Sequence, residues 1–271
     1  MTDRAIDEVI KPQRVIDDGD MRLFRALPLD ARESVGPFVF VDHYRHQSKR
    51  GIGDKPHPHA GIEVLSYLLE GGVEHRDSMG YRDTLGPGDA QWIAAGRGMI
   101  HAEVPSGGRH GLQLWTSLPP DLKGMKPEYR SIRAGDIPVS THDGVSLRTI
   151  AGKVNGQSGP FQTYSGAVLA RVTLEPNARI RLAIDPGEEI GVYSISGKPR
   201  VAGQELEPGE LAVLGRGDAV LLSASTASEA LVLGGPKIDY PLVFDGPFVM
   251  DSEERIAAAY RDFRSGAMGK L

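Results

Sequence analysis

The chain has 271 residues, 40% of them apolar and 25% charged, with a formal net charge of -5. That composition fits one large or two modest globular domains and excludes a disordered or fibrous chain. The acidic excess speaks against a broad basic face for nucleic acid. The absence of cysteine removes disulfides, thiolate metal sites and cysteine nucleophiles.

Residues 1–13 alternate charged and apolar side chains and lack an apolar core of leader length. No later segment approaches the roughly 18 apolar residues of a membrane span. The expectation is a soluble cytoplasmic protein with no membrane partner and no direct nucleic-acid partner. Strand-length runs, rich in β-branched and aromatic residues and bounded by Gly or Pro, lie at 36–42, 64–69, 90–94 and 112–115. The same texture returns at 168–174, 190–195, 211–214 and 230–233. Many short strands predict an all-β sandwich or barrel. Trp92 and Trp115 fall on such strands and are assigned to the core.

Residues 251–264 break the pattern. Ile256, Ala259, Tyr260 and Phe263 follow a helical spacing, Asp251 and Glu254 resemble a capping box, and Gly266 supplies a stop. One C-terminal amphipathic helix is expected, packed on a barrel or on the other domain.

The chain also repeats itself. Residues 63–71 (EVLSYLLEG) resemble 189–197 (EIGVYSISG), and 85–89 (LGPGD) resemble 206–210 (LEPGE), in the same order and at nearly equal offsets. Duplication accounts for this, with a boundary in the polar stretch 127–144. Two domains are expected, 1–130 and 131–271, the second ending in the helix.

His57-Pro-His59 sets two imidazoles two residues apart, which on a strand point to one face. His101-Ala-Glu103 repeats that spacing. Neighbouring strands facing one interior would bring three nitrogens and a carboxylate together, a set suited to a divalent transition metal with positions left open. Glu63 shares the strand parity of His57 and His59 provided no bulge intervenes. Either Glu63 or Glu103 is then the carboxylate, the other orienting an imidazole. His43, His46, His75, His110 and His142 are read as surface or hydrogen-bonded structural residues, with His75 and His110 nearest the motifs. Arg97, in a Gly-flanked loop before His101, either bonds loop carbonyls or is solvated.

At these residues the chain resembles a known family. Residues 53–71, with His57, His59 and Glu63, look like the first cupin motif, and Pro87-Gly-Asp89 followed by His101 looks like the second. The strings HPHAGIE (57–63), YLLEG (67–71), EHRDS (74–78) and QWIAAGRGMIHAE (91–103) resemble the pirin family, as do residues 36–43, 111–115 and 246–250. The resemblance implies a bicupin, two jelly-roll β-barrel domains, with metal only in the first. It implies His57, His59, His101 and Glu103 as ligands. It further implies one divalent transition metal per chain, iron(II) foremost, with zinc, manganese, nickel, cobalt or copper as alternatives.

Carried across the repeat, the ligand positions become Ala183, Asp185, Leu222 and Ala224, so the second barrel is expected to hold no metal. Several bacterial pirins resemble quercetin 2,3-dioxygenases, which open a flavonol with O₂. In that reading Glu103, or Glu63, accepts the flavonol proton. Eukaryotic members act as regulators whose metal alters the fit to a protein partner. A dioxygenase acting on a flavonol-like substrate is the first expectation, and a metal-dependent regulatory protein with a protein partner the second.

Overall fold

The computed structural model describes residues 1–30, 32–48 and 51–271. The duplicated stretches fold alike down to their hydrogen bonds. In the first, the Leu68 N–H donates to the Asp89 carbonyl at 3.0 Å, the Gly88 N–H to the Leu68 carbonyl at 2.8 Å, and the Gly86 N–H to Asp89 Oδ2 at 2.9 Å. In the second, Ser194 donates to Glu210 at 2.9 Å, Gly209 to Ser194 at 2.8 Å, and Glu207 to Glu210 Oε2 at 2.9 Å. Each Pro-Gly-acid turn is thus closed by its own carboxylate. Gly88 (φ +81°) and Gly209 (φ +92°) occupy the left-handed region that only glycine enters without strain.

The chain divides into two units, and the division is not a single cut. One comprises residues 1–13, 24–39 and 135–238, the other 14–23, 40–134 and 239–271. The boundary placed near residue 130 falls in the structure between Ala134 and Gly135. The two chain ends are exchanged with respect to the expected 1–130 and 131–271 halves: each is built into the unit formed by the other half's strands.

In the unit containing residues 40–134, two long strands dominate, Ile62–Asp77 and Met99–Ser117. They pair antiparallel almost throughout, with register shifts at Leu68/Glu70 and Gly71/Val73. Such bulges bend a strand and let one ladder serve two walls. Gly71 (φ +79°) sits at this bend, where an added Cβ would lie 2.0 Å from the Gly108 carbonyl oxygen. The short strand His57–His59 joins the same sheet by pairing with Met99–Ser117.

In the other unit a seven-stranded sheet, centred on Glu189–Ser196, Ser228–Gly235 and Val168–Leu174, faces a four-stranded sheet that includes Arg179–Ala183 and Ala219–Ser223. The space between is filled by aliphatic side chains, among them Leu182, Ile190, Val192, Val220, Leu222 and Val232. Burying each one contributes about 1.5–3 kcal/mol. The equivalents of the ligand positions lie here. Leu222 and Ala224 are buried, while Asp185 is exposed. Ala183 pairs with Ala219, whereas Ile180 lies opposite Leu222. The constant offset therefore slips by three residues on one strand, yet the residues met on either register are aliphatic.

The expected helix spans Glu253–Ser265. Its cap differs from the expected one: Ser252, not Asp251, is the N-cap and accepts from the Arg255 N–H, while Gly266 (φ +78°) ends it. Ile256 and Ala259 pack with Ala60, Phe248, Met250 and Met268, but Phe263 is 38% exposed. The helix thus belongs to the unit of the paired histidines and packs on Ala60, the residue after His59. Changing Ser252 to Ala removes one capping acceptor and is expected to cost about 1 kcal/mol. Thermal melting should show a drop of about 2–4 °C. No helix among the described residues is long and apolar enough to cross a membrane.

Candidate metal centre

The cross-strand register puts His57 opposite His101 and His59 opposite Met99. The rings of His57, His59 and His101 converge, with centroids 4.4–5.0 Å apart, and one nitrogen from each lies within 4.8 Å of the others. Two of the rings are oriented from behind by carbonyls. His57 Nδ1 meets the Lys55 carbonyl at 2.9 Å, and His59 Nδ1 meets the Pro247 carbonyl at 3.2 Å. A carbonyl can only accept, so Nδ1 carries the hydrogen in both rings and Nε2 presents a lone pair. This is the arrangement of imidazoles that bind metal.

Both nitrogens of His101 and Nε2 of His59 are buried without a hydrogen-bond partner. A buried polar atom left unsatisfied costs about 1–3 kcal/mol, and a bound cation would satisfy these. Burial, reinforced by His57, pushes His59 down to about 3. Burial, with His59 and His57 close by, also holds His101 well below the usual imidazole range. All three observations fit neutral donors to a divalent ion.

These depressed values fix a sign for pH dependence. An unfolded histidine titrates near 6.5, whereas His59 and His43 are held at about 3, His43 by burial, by His110 and by Arg45. The unfolded chain therefore takes up protons first. The stabilisation is fully present above pH 6.5 and drains away as pH falls towards 3. Each such group can remove up to about 1.4 kcal/mol for every pH unit below 6.5. Urea midpoints of the chelator-treated protein should be level from pH 8 to 7 and fall between 6.5 and 5; a level profile throughout contradicts this.

Glu103 and Glu63 are sorted by their partners. Glu103 is fully buried, its Oε1 lies 4.0 Å from His101 Nδ1, and it groups with His101 and His75. Gln91 Nε2 donates to Oε1 at 2.5 Å, and Arg109 Nη1 donates to Oε2 at 3.1 Å. Glu63 is equally buried but accepts from Trp92 Nε1 at 3.0 Å and from Thr116 Oγ1 at 2.9 Å; among the described residues it falls in neither cluster, while Glu103 shares a cluster with His75 and His101 and not with His57 and His59. The chain turns at Gly61 (φ +77°), whose N–H bonds the Gly96 carbonyl, before the next strand begins at Ile62. That break cancels the parity linking Glu63 to His59.

The remaining residues fall into place around this core. His75 Nε2 pairs with Asp77 Oδ2 at 2.9 Å under a stacked Tyr129. His43 and His110 meet through their Nε2 atoms at 2.7 Å, His46 is buried, and His142 is exposed. Trp92 and Trp115 are buried as expected, and Trp115 also stacks on Phe40 and meets His59 edge-on. Arg97 is exposed, and its backbone N–H, rather than its side chain, bonds the Met125 carbonyl. Lys123 is 2% exposed and spends its three N–H groups on the Gly61 and Val249 carbonyls and Ser117 Oγ. It pins the turn after His59 to the segment that supplies the Pro247 carbonyl.

Arg109, Gln91 and Asp77 lie beside the cluster although the motif spacing did not single them out, and His75, read as a structural residue near the motifs, lies there too. Gln91 carried a local sign, a polar residue inside the buried run Ala90–Ala94. Arg109, in the Gly-rich stretch after Ser106, carried none.

Comparison with known proteins gives the family. Residues 20–116 match the pirin family model, and residues 169–269 match that of the pirin C-terminal cupin domain. Human pirin is 35% identical over 92% of this chain and 88% of its own length. This chain belongs to the pirin family. Its fold is that of two cupin-like domains. Among solved structures, a quercetin 2,3-dioxygenase from Acinetobacter baumannii superposes with a TM-score of 0.90, at 28% identity, over 99% of both chains. A bacterial pirin from Escherichia coli in complex with nickel(II) superposes with a TM-score of 0.70 over 85% of this chain and 99% of its own, and at 19% identity that likeness concerns the fold.

Proposed function

We propose that this pirin binds one divalent transition metal through His57, His59, His101 and Glu103 and acts as a dioxygenase of the quercetin 2,3-dioxygenase type. The observation that carries the reading is the convergence of three imidazoles, two with Nδ1 tied back to carbonyls and two with buried, unpartnered nitrogens. The likeness to the Acinetobacter dioxygenase supplies the reaction class. Bound there, the metal would act as a Lewis acid that acidifies a coordinated hydroxyl and holds it beside O₂.

The chain's own residues do the rest. The Lys55 and Pro247 carbonyls fix two imidazoles in the donor tautomer. In this reading Glu103, beside His101, would take the proton of an enol or flavonol hydroxyl. Glu63, engaged by Trp92 and Thr116, holds the wall instead. The cage of N and O donors accommodates iron(II), nickel, copper, manganese, cobalt and zinc alike, so metal choice is read from the purified protein.

The test measures metal content after purification without added metal, then O₂ uptake and loss of quercetin absorbance with each metal restored. Turnover with at least one metal is expected. If metal is bound but no loaded form consumes O₂, the oxygenase reading falls, and metal-dependent binding of a protein partner takes its place.

A further inference from the structure

We propose that His75, Tyr129 and Tyr81 form an electron route from the buried histidine cluster to solvent, through which a one-electron donor of the ascorbate or thiol class reduces an oxidised metal without touching it. This rests on the metal reading above and adds a redox partner to it. The rings follow one another at contact distance. His101 and His75 have centroids 5.7 Å apart, His75 and Tyr129 stack at 4.2 Å with 12° between their planes, and Tyr129 and Tyr81 lie at 5.5 Å. His101 and His75 are shut off from solvent, whereas Tyr81 is 49% exposed, so the series runs from the interior to the surface.

The series is fixed in place. Asp77 accepts from His75 Nε2 through Oδ2 at 2.9 Å and from the Tyr81 N–H through Oδ1 at 3.1 Å. Tyr129 lies on the strand Glu128–Ile132, which pairs with Ala90–Ala94. A tyrosine gives up an electron readily only where its proton has an acceptor. The Tyr129 hydroxyl donates to Asp83 Oδ2 at 3.2 Å, nearer than Gln91 Oε1 at 3.4 Å. Burial, with Asp83 alongside, raises the phenol above its ordinary value, so its proton leaves together with an electron. The other oxidisable ring beside the cluster lacks such an outlet. Trp115 meets His59 edge-on at 4.8 Å, but its Nε1 is buried with no hydrogen-bond partner, and it stacks on Phe40, which resists oxidation and ends that branch.

The transfer balances. Tyr129 passes one electron inward through the His75 and His101 rings and its proton to Asp83. Tyr81 then supplies an electron to Tyr129, which recovers its proton from Asp83, while the Tyr81 proton goes to water. The donor returns a hydrogen atom to Tyr81. In sum the donor loses one hydrogen atom, the metal gains one electron, and one proton enters solvent.

The experiment oxidises the iron-loaded protein with hydrogen peroxide beside a nitroso spin trap and maps tyrosine adducts by peptide mass spectrometry. Adducts are expected at Tyr81 well above those at Tyr164, which is 40% exposed in the other unit. They should be absent when zinc, which has no redox chemistry, replaces iron. Tyr129→Phe keeps the ring and removes the transferable hydrogen, and in it the Tyr81 adducts should fall to the level of Tyr164. Ascorbate should also reduce the ferric form of the unmodified protein faster than that of Tyr129→Phe. Tyr81 adducts unchanged in Tyr129→Phe, adducts no higher than at Tyr164 in the unmodified protein, or equal reduction rates overturn the proposal while leaving the metal site standing. Binding of zinc but of no redox-active metal also overturns the route alone, and failure to bind any divalent transition metal removes the metal reading itself. If Tyr129→Phe does not fold, Tyr81→Phe decides: adducts that move to Tyr129 support the route, and an unlabelled Tyr129 overturns it.

Discussion

Replacing His101 with Ala is expected to reduce metal binding by at least about a hundredfold while leaving the barrel folded. Three features of His101 set that magnitude. His101 lies 4.4 and 5.0 Å from His57 and His59 between ring centroids, so its loss removes one of the three converging imidazoles. Both its nitrogens are buried and unpartnered, so no hydrogen bond is sacrificed by truncation. Its strand is held by backbone pairing to Ile62–Asp77 and to His57–His59, which the side chain does not supply. Changing a residue that merely orients a ligand already costs about 10–100-fold in metal affinity, and removing the ligand costs more. Metal content by elemental analysis, with circular dichroism as the control for folding, checks this. A His101→Ala protein that retains a full equivalent of metal contradicts the assignment.

The second large effect lies in the other barrel and separates stability from metal. Leu222 occupies the place that the repeat assigns to His101, is 0% exposed, and packs in the aliphatic cluster with Leu182, Val220 and Val232. Leu222→Ala is expected to cost about 2–5 kcal/mol, the transfer free energy of the removed atoms plus the cavity left behind. Calorimetry should find a markedly lower melting temperature. Metal per folded chain should stay unchanged, because the proposed donors His57, His59 and His101 belong to the other unit. A fall in metal content proportionate to that of His101→Ala would contradict the view that the second barrel is filled by its own side chains.

How much of this was legible in the sequence can be judged residue by residue. The repeat was, because turns need particular residues: Pro-Gly-acid closes the same hydrogen-bonded loop in both halves. The histidine triad was legible too, since alternate residues on a strand share a face. The choice between Glu63 and Glu103 was not open to strand parity. A bend at Gly61 breaks the parity between Glu63 and His59, and a glycine in a string does not announce its φ. The helix was visible through its apolar spacing, but its cap moved by one residue because Ser252 and Asp251 are both competent caps. Arg109 was invisible for a deeper reason. A buried arginine is acceptable only where its partners converge, and Glu103, the Ile52 carbonyl and the Tyr44 ring come together only in three dimensions. The division of the chain was hidden in the same way, since composition shows where a linker is polar but not where a terminus docks.

That exchange of chain ends bears on the order in which the protein can be completed on a ribosome. The acceptor that orients His59 is the Pro247 carbonyl, 188 residues further along. The clamp at Lys123 reaches forward to Val249, and the helix that backs Ala60 comes later still. The histidine barrel is therefore the first to be translated and the last to be finished. A nascent chain stalled after residue 134 would carry every proposed ligand and still lack the carbonyl behind one of them. Cutting the gene between Ala134 and Gly135 should give two fragments that are each incomplete alone and can regain metal affinity only when produced together.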